Sequence, residues 1–422
     1  MIYYDITDVL EYARTHDTLS GIQRVSIQLL THFVNKHGAD KLRLIAWHPI
    51  QQRVVVFDAS YFAGDYRYDQ DDLCKRFLLR NIPIRLIFSL GLYRKAKYWR
   101  RPLHYGRLLL AGTAAASLPR IGRPLLGSRS RASFRAGDLV FISGATWNFD
   151  RYLSILANAR KQSGLTICQF IHDLIPLLAP EHVVDDVPDR FYWWLDRLSQ
   201  HVDFFMTNSQ ATKADLDAWL VARGLDVPCR VLPLAHQFTD RSRRPSSARR
   251  PVQRRPRETQ AADNNVVHAR VLNAARLPYV LCAGTMEPRK NIWTLARVWQ
   301  SLHAKLGVHT PRLVFAGKPG WLNDDFDDFI RGTGSLYGYI RVVESPNDAE
   351  LEYLYRNCLF SAFPSYKEGW GLPIGECLWL GRPVVCSNAS SMPEVGGTLA
   401  DYIDPTSCES MEAGLMKMIT DA

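Results

Sequence analysis

The chain has 422 residues, of which 47% are hydrophobic, and this length is enough for two domains with ordinary cores. We find no uncharged apolar stretch of about eighteen residues, and the opening MIYYDITD does not resemble a signal peptide. Eight scattered cysteines without a C-x-x-C pair argue against structural zinc. These features predict a cytoplasmic protein with reduced thiols.

The net charge of +10 is concentrated in two segments. Residues 85–135 hold twelve Arg or Lys and no acid, and residues 241–257 hold eight Arg and no acid. Subtracting these twenty from the 52 basic residues leaves 32 against 42 acidic residues, so the rest of the chain is acidic. This distribution argues against a protein that binds nucleic acid over its whole surface.

The first elements alternate between strand and helix patterns. IYYDIT predicts a strand, and apolar residues at helical spacing from Ile22 to Phe33 predict a helix capped by Ser20 or Gly21. Arg24 in the first turn does not complement the helix dipole, which indicates either a nearby ligand anion or a solvated side chain. LRLIAWHP and RVVVFDAS predict two further strands.

Residues 75–135 interrupt this alternation. The segment mixes apolar clusters with Arg, Lys, Tyr and Trp, a composition that suits an anionic membrane interface. It also suits a helical insertion with a solvated basic face, so both interpretations stay open. We expect residues 85–135 to hold the protein against the inner face of a membrane, where additive contributions of the basic side chains would favour binding.

A polar pair follows one of the next predicted strands. DLVFISG predicts one strand, and LTICQFI predicts another that ends at His172 and Asp173. Ligands of open α/β sheets bind beyond the carboxyl ends of the strands, so His172 lies where chemistry would occur, although a lone histidine there is more often structural. Further strand and helix patterns lead to CRVLPLAH, and the first domain, residues 1–236, is predicted to end there.

Residues 237–275 are rich in Arg, Pro, Ser, Gln and Asn and predict a flexible linker. The second predicted domain, residues 276–422, opens with the strand YVLCAG, the loop TMEPRKN and a helix in IWTLARVWQSLHAKLG. Repeated strand–helix units with apolar strands predict the α/β class with a parallel, doubly wound sheet.

The stretch FPSYKEGWGLPIGECLWLGRP, residues 363–383, follows a predicted buried strand and leads into a helix. Gly369 and Gly371 allow the backbone to approach a ligand, and a helix that begins near Pro373 offers free N–H groups to an anion such as a diphosphate. Glu376, inside that helix, can accept hydrogen bonds from the vicinal hydroxyls of a ribose. An isolated EGWG would more simply be a surface turn.

The eight-residue spacing from Glu368 to Glu376, followed by LGRPVVCSNASSMPEVGG, resembles the E-x7-E block of the retaining nucleotide-sugar glycosyltransferases of family four. The resemblance implies the GT-B fold, in which two Rossmann-like, doubly wound domains face a cleft. It implies that Glu376 holds the nucleotide ribose and that Glu368 lies against the transferred sugar. The backbone that would meet sugar and phosphate belongs to Gly369, Trp370, Gly371 and Leu372.

Three other stretches are similar to motifs of this family. HDLIPL corresponds to the motif whose histidine reaches the transferred sugar and the acceptor, which implies a catalytic role for His172 beside Glu368 and Lys290. TMEPRKN corresponds to the donor diphosphate site, with Lys290 as the first candidate for contacts to the leaving phosphates and Arg289 as the second. In GT-B enzymes the loop after the first strand faces the cleft. Here that loop contains Ser20 and Gly21, with Arg24 just inside the helix, and the resemblance implies donor contacts for Gly21 and Arg24.

The resemblance also implies the reaction. We expect retaining, metal-independent transfer of a hexose from a nucleotide diphosphate sugar to a lipid-linked or polysaccharide acceptor, without a cofactor. DITDVL and LSGIQRV are similar to mannosyltransferase-like members that build bacterial surface polysaccharides, so GDP-mannose is the first donor to consider. Family members end with a helix that crosses back to the first domain, and we expect that helix to be missing after LMKMITDA.

Several alternatives stay open. An epimerase or hydrolase of sugar nucleotides can share the two-domain fold. A non-catalytic protein could bind a nucleotide sugar or, through its Arg-rich segments, nucleic acid, although we expect no nucleic-acid partner. Asp325 and Asp327 fit the Asp-x-Asp pattern of metal-using transferases, but their acidic surroundings predict a solvated helix face, and we expect no metal site.

Overall fold

The computed structural model describes residues 1–14, 16, 19–48, 52–77, 132–236 and 267–421. The basic insertion predicted at 75–135 and the linker predicted at 237–275 therefore lie largely outside the described residues, and the membrane contact of residues 85–135 stays a prediction. The chain divides into two compact units, Met1–Phe170 with Gln200–Phe204, and Ile171–Ser199 with Phe205–Ala422. No helix in the described ranges is long and apolar enough to cross a membrane.

The described strands form two sheets, one of seven strands in the order β3-β2-β1-β4-β5-β6-β7 and one of six in the order β10-β9-β8-β11-β12-β13. The strands are β1 (Ile2–Asp5), β2 (Leu42–His48), β3 (Arg53–Asp58), β4 (Leu139–Ile142), β5 (Thr166–Ile171), β6 (Phe204–Thr207), β7 (Cys229–Val231), β8 (Tyr279–Ala283), β9 (Arg312–Gly317), β10 (Ile340–Glu344), β11 (Ser361–Phe363), β12 (Val384–Ser387) and β13 (Asp401–Ile403).

Helices connect most of these strands. They are α1 (Thr7–Ala13), α2 (Gly21–His37), α3 (Gln70–Phe77), α4 (Asp150–Ser163), α5 (Ile175–Leu178), α6 (Val187–Ser199), α7 (Gln210–Val221), α8 (Ala269–Ala274), α9 (Ile292–Leu306), α10 (Asp324–Gly332), α11 (Gly334–Tyr337), α12 (Asp348–Asn357), α13 (Leu372–Trp379), α14 (Met392–Gly396) and α15 (Cys408–Thr420). Short 3-10 turns lie at Ala39–Lys41, Ser60–Phe62, Pro180–His182, Pro288–Lys290 and Gly307–His309.

One strand departs from the predicted parallel arrangement. β3 pairs with β2 in the antiparallel direction, with Arg43 opposite Asp58 and His48 opposite Arg53. Only residues 49–52 separate the two strands, and a parallel crossover needs a dozen residues or more. The strand patterns were therefore right, and the short connection makes this pair a hairpin at the edge of the sheet.

The second sheet is covered on both faces, as the apolar strand patterns predict. Along β8, Val280 and Cys282 point into one core together with residues of α9 and α15. Tyr279, Leu281 and Ala283 point into the opposite core, with residues of α8, α12 and α13. This alternation is the period-two pattern of a strand, and burial on both faces explains why β8 is apolar at every position.

The last residues of the predicted linker are folded. α8 begins after His268, and its Val271 and Ala274 are buried in the core of the second unit. His268 and Arg270 both bond the buried carboxylate of Glu350. The prediction of an unstructured segment up to residue 275 was thus wrong for this part, because two apolar residues one turn apart give it a face to bury.

Candidate functional site

The site is built around the junction between β11 and α13. Between them the chain turns through EGWG, and Gly371, which precedes the helix, has a φ of +104°, a left-handed backbone that favours glycine. Pro373 lies in the first turn, where the N–H group that proline lacks would have no helical partner. The amino end of the helix dipole therefore places a partial positive charge beside the loop.

Glu368 lies buried between two cations. Its Oε2 is 2.7 Å from Nη1 of Arg289, and its Oε1 is 2.5 Å from Nζ of Lys290. Burial opposes ionisation of Glu368, but the two positive charges outweigh it and hold the pKa of the carboxyl group at about 2. Glu368 is therefore ionised at neutral pH, and the structure brings together three residues that the sequence predicts for one site.

Arg289 connects two loops of the site. Its Nη2 is 2.5 Å from Oε1 of Glu287, and its Nη1 donates to the carbonyl oxygen of Lys367 at 2.7 Å. The N–H of Tyr366 donates in turn to the carbonyl oxygen of Arg289 at 2.9 Å. Burial acts to lower the pKa of Arg289. The negative charges of Glu368 and Glu287 act in the opposite direction and outweigh burial, so the pKa of Arg289 lies above its ordinary value and the guanidinium stays charged.

Lys290 borders a small pocket at the carboxyl ends of β8 and β11. Its Nζ lies 4.7 Å from the centre of the Phe363 ring, and its stem passes 3.5 Å from the point where a Cβ on Gly284 would stand. Gly284 has a φ of +136°, so glycine serves both the backbone conformation and the close approach of Lys290. The pocket is lined by Cys282, Ala283, Gly284, Thr285, Met286, Lys290, Ile292, Phe315 and Phe363.

Two serines after β12 hold the EGWG turn. Ser391 Oγ donates to the carbonyl oxygens of Glu368 at 3.0 Å and Trp370 at 2.9 Å, and Ser390 Oγ accepts from the N–H of Glu368 at 2.9 Å. Thr212 Oγ1 of α7 donates to the carbonyl oxygen of Gly369 at 3.2 Å. The serines of the SNASSMPE sequence, which follows the two glutamates, therefore hold the turn that carries Glu368.

The second glutamate of the pair, Glu376, is buried in α13. Tyr355 of α12 donates a hydrogen bond from its hydroxyl group to Oε2 of Glu376 at 3.2 Å, and Tyr355 itself is fully buried. One carboxylate oxygen of Glu376 is thus fixed by the protein before any ligand binds. Sequence reasoning missed Tyr355, because it stands 21 residues before Glu376 in a helix whose pattern has no feature of a binding site.

His172 and Asp173 lie next to the same turn within the second unit. A Cβ on Gly369 would stand 2.0 Å from the carbonyl oxygen of His172 and 3.0 Å from Cβ of Asp173, so only glycine fits there. Asn208 also donates to the His172 carbonyl, at 2.8 Å. Burial raises the pKa of Asp173, with Arg289 acting in the opposite direction.

Two further residues of the site had little sequence signal. Glu287 stands in TMEPRKN and is 3% exposed, and only the expectation that a buried arginine needs a carboxylate could have identified it. His236 lies with its ring parallel to that of Trp370, with centroids 5.6 Å apart, and fills the space beside Gly375 that a Cβ would need. Burial lowers the pKa of His236.

The predicted residues Gly21 and Arg24 belong to the first unit. Gly21 begins α2, and the N–H of Arg24 donates to the carbonyl oxygen of Ser20 at 2.9 Å. Gln23 from the same turn donates to Oδ2 of Asp8 at 2.7 Å and also bonds Ser20. Burial raises the pKa of Asp8 to about 6. Ligand contacts of Gly21 and Arg24 stay a prediction.

The acidic segment around Asp325 and Asp327 forms the first turn of α10, with Phe326 buried and the aspartates exposed. This confirms the predicted solvated helix face. Acidic side chains in a first helical turn also complement the helix dipole. Within the described residues, no group of three His, Cys, Asp or Glu side chains lies close enough together to hold a metal ion.

Parts of this chain are similar in sequence to known proteins. Residues 277–421 match the family Glycosyl transferases group 1. The O-antigen chain mannosyltransferase B of Escherichia coli is 38% identical over 143 residues, which are 34% of this chain and 37% of that protein. The serotype-specific mannosyltransferase WbdA of Escherichia coli is 24% identical over 279 residues, 65% of this chain and 32% of that protein. The chain thus spans about a third of the length of these curated relatives.

Solved structures share the fold. Anabaena HepE in complex with UDP and glucose has a TM-score of 0.55 and 14% identity, with 100% of this chain and 90% of that chain covered. WaaG, a glycosyltransferase involved in lipopolysaccharide biosynthesis, has a TM-score of 0.52 and 13% identity with the same coverage. These likenesses confirm the predicted GT-B fold. The chain therefore carries, at residues 277–421, a domain of the group 1 glycosyl transferases.

Proposed function

We propose that the site around Glu368 binds a nucleotide diphosphate sugar and that the protein transfers its hexose with retention of configuration. The observation that carries this proposal is the buried Glu368 between Arg289 and Lys290, in the loop that precedes the amino end of α13. A carboxylate against the sugar and cations against the leaving phosphates are the charges that such a transfer needs.

The two cations would act on the leaving group. The transition state of glycosyl transfer resembles an oxocarbenium ion, and negative charge grows on the departing diphosphate. Arg289, Lys290 and the start of α13 would stabilise that charge electrostatically. Both cations bond Glu368 in the structure, so phosphate oxygens of the donor would share these cations with the carboxylate.

Glu376 would hold the ribose of the donor. Tyr355 orients the carboxylate of Glu376 by donating to its Oε2, and each carboxylate oxygen has two lone pairs that can accept bonds from the vicinal hydroxyls. The backbone of Gly369, Trp370, Gly371 and Leu372 would meet the sugar and the phosphates.

His172 would contact the reacting sugar and the acceptor. Its backbone touches Gly369, and the neighbouring Asp173 interacts electrostatically with Arg289 and Glu368. The raised pKa of Asp173 supports a place for this carboxyl group among the candidates for the proton of the acceptor hydroxyl, with His172 and a donor phosphate as the others.

We propose GDP-mannose as the donor. Both Escherichia coli relatives are named as mannosyltransferases, and one as an O-antigen chain mannosyltransferase. The acceptor would be a lipid-linked or polysaccharide chain at the inner face of the cytoplasmic membrane, reached by a cytoplasmic protein that residues 85–135 hold at the membrane. The reaction would need neither a metal ion nor a nucleic-acid partner.

A panel of nucleotide sugars tests the proposal. Each sugar nucleotide is incubated with the protein and a mannoside acceptor in the presence of a chelator, and released nucleoside diphosphate and glycosylated acceptor are quantified. We expect both products in equal amounts, and a Glu368→Gln variant should form neither at the wild-type rate. Release of free sugar without acceptor product would indicate a hydrolase, and an isomerised nucleotide sugar would indicate an epimerase.

A further inference from the structure

A second charged surface lies at the opposite end of the second sheet, at the amino ends of β8, β9 and β10. Tyr279 pairs with Arg312, and Leu313 pairs with Ile340, so these parallel strands begin side by side. Arg276 precedes β8, Arg312 begins β9 and Arg341 lies near the start of β10. We call this surface, formed by Arg276, Arg312 and Arg341 with Leu277, Val308 and Tyr337, the arginine face.

The three arginines are close together, and the part of the chain that the structure describes places no carboxylate in an ion pair with them. Within the described residues, none of Arg276, Arg312 and Arg341 forms an ion pair with a carboxylate. Segments 267–286 and 329–343, which supply two of the three, contain no Asp or Glu. Burial and the repulsion by Arg341 and Arg276 lower the pKa of Arg312, which shows that their positive charges act on one another.

The segment around Arg312 also lacks acidic residues. Residues 302–323 contain no Asp or Glu. Arg312 Nη1 donates to the carbonyl oxygen of Asn273 at 3.0 Å, an acceptor that carries no formal charge. Arg341 Nη2 lies 3.5 Å from the point where a Cβ on Gly338 would stand, so it reaches back to the loop before β10. Like charges gathered without acids favour the binding of an anionic partner.

Exposed apolar side chains surround these charges. Tyr337 is 79% exposed, Val308 is 83% exposed and Leu277 is 51% exposed. Tyr337 ends a left-handed turn in which Ser335, Leu336 and Tyr337 itself all have φ between 50° and 59°. Such a backbone is unfavourable for residues other than glycine, and here it presents an aromatic side chain to solvent.

We propose that the arginine face binds the surface of an anionic phospholipid bilayer. Arginines would meet the phosphate groups, while the tyrosine and the aliphatic side chains would enter the interface at the depth of the headgroups. The bilayer is the partner we assign because clustered arginines and exposed aliphatic and aromatic side chains occur together on this face, which is the combination that binds an anionic membrane interface. The proposal does not depend on the transferase activity.

Flotation of the whole chain with vesicles tests this proposal. The variant Arg276→Gln/Arg312→Gln/Arg341→Gln removes three charges from the arginine face. A matched control removes three cations that pair with carboxylates elsewhere on the second unit. Its substitutions are Arg190→Gln, Arg356→Gln and Lys417→Gln, and the partners are Asp186, Glu352 and Asp401. On phosphatidylglycerol-containing vesicles, the first variant should lose about a hundredfold in partition coefficient, and the control far less.

Two outcomes decide the proposal. Equal losses in both variants, or no loss in either, would overturn it, because other basic segments would then account for binding. The variant Arg276→Lys/Arg312→Lys/Arg341→Lys should keep binding, which separates a loss of charge from a loss of fold. Unchanged affinity of all variants for nucleoside diphosphate would show that the candidate site remains intact.

A fluorescent probe distinguishes a bilayer from other polyanions. Val308→Cys is labelled with an environment-sensitive dye in a chain whose exposed Cys408 is replaced by Ser. Anionic vesicles should shift the emission to the blue, and neutral vesicles should not. The same arginine variants are also tested for binding to a DNA duplex. If the duplex binds through these three arginines and the dye shows no blue shift on anionic vesicles, the bilayer proposal would be overturned in favour of nucleic acid.

Discussion

The backbone of Gly369 lies directly against the carbonyl oxygen of His172, so closely that a Cβ at residue 369 would stand 2.0 Å from that oxygen. This relationship joins two stretches that are almost 200 residues apart in sequence. It also means that the turn carrying Glu368 cannot accept any side chain at its next residue without a shift of the main chain.

We therefore expect Gly369→Ala to destabilise the protein by about 1–3 kcal/mol, the usual cost of forcing an extra group into a packed site. Gly332→Ala is the matched control, because a Cβ there meets no atom within 4 Å. Urea unfolding of both variants measures the difference. Equal stability of the two variants would contradict the contact between Gly369 and His172.

Lys290→Ala should lower turnover roughly a hundredfold, which corresponds to about 3 kcal/mol of lost transition-state stabilisation. The reason is that Lys290 would balance charge on both Glu368 and the leaving diphosphate. Lys305→Ala, which removes an exposed lysine paired with Glu412, should leave turnover unchanged. Steady-state rates with saturating donor make the comparison. Wild-type turnover of Lys290→Ala would remove this lysine from the proposed chemistry.

Tyr355→Phe should weaken binding of the nucleoside diphosphate about tenfold, because it removes a hydrogen bond that orients the charged Glu376. Turnover at saturating donor should change less, since the ribose lies away from the reacting carbon. Tyr353→Phe on the same helix is the control. Calorimetric titration gives both affinities, and unchanged affinity in Tyr355→Phe would show that this bond does not position Glu376 for the ligand.

The raised pKa of Asp8 predicts that the free energy of unfolding depends on pH. Burial raises the pKa of Asp8 to about 6 in the folded chain, from an ordinary value of 3.8. The folded state therefore holds the proton more tightly, and the contribution of Asp8 to stability falls by roughly 3 kcal/mol as the pH rises through this window.

Asp8→Asn stays neutral at every pH and should escape this fall. The free energy of unfolding of Asp8→Asn should therefore rise relative to wild type between about pH 4 and pH 7. Asp40→Asn, at an exposed position, is the control. Urea unfolding at several pH values provides the curves. A difference between Asp8→Asn and wild type that does not vary with pH would contradict the shifted pKa.

The sequence predicted most of the elements that position the site. Apolar runs bounded by glycine and polar residues gave β8 and β11, and the period of IWTLARVWQSLHAKLG gave α9. Arg289 and Lys290 come together with Glu368 because parallel strands bring their carboxyl ends to one edge of a sheet, a rule that sequence order alone can use.

The sequence did not predict the partner residues whose contacts depend on tertiary packing. Glu287 and Tyr355 stabilise Arg289 and Glu376 through contacts between separate elements, and nothing in their local sequence marks them. The left-handed turn at Gly334–Tyr337 breaks local backbone preference, and tertiary contacts must maintain it. The antiparallel direction of β3 follows from the short connection between β2 and β3. The strand pattern alone does not contain this information.

The most direct test of the account is the anomeric configuration of the first product. Wild-type protein is incubated with GDP-mannose and a mannoside acceptor in the presence of a chelator, and the anomeric configuration of the new glycosidic bond is assigned by NMR. A retaining transfer gives an α-linked product, which keeps the configuration of the donor, together with stoichiometric GDP. A β-linked product, or transfer that stops with chelator and returns with added magnesium, would contradict the proposed reaction.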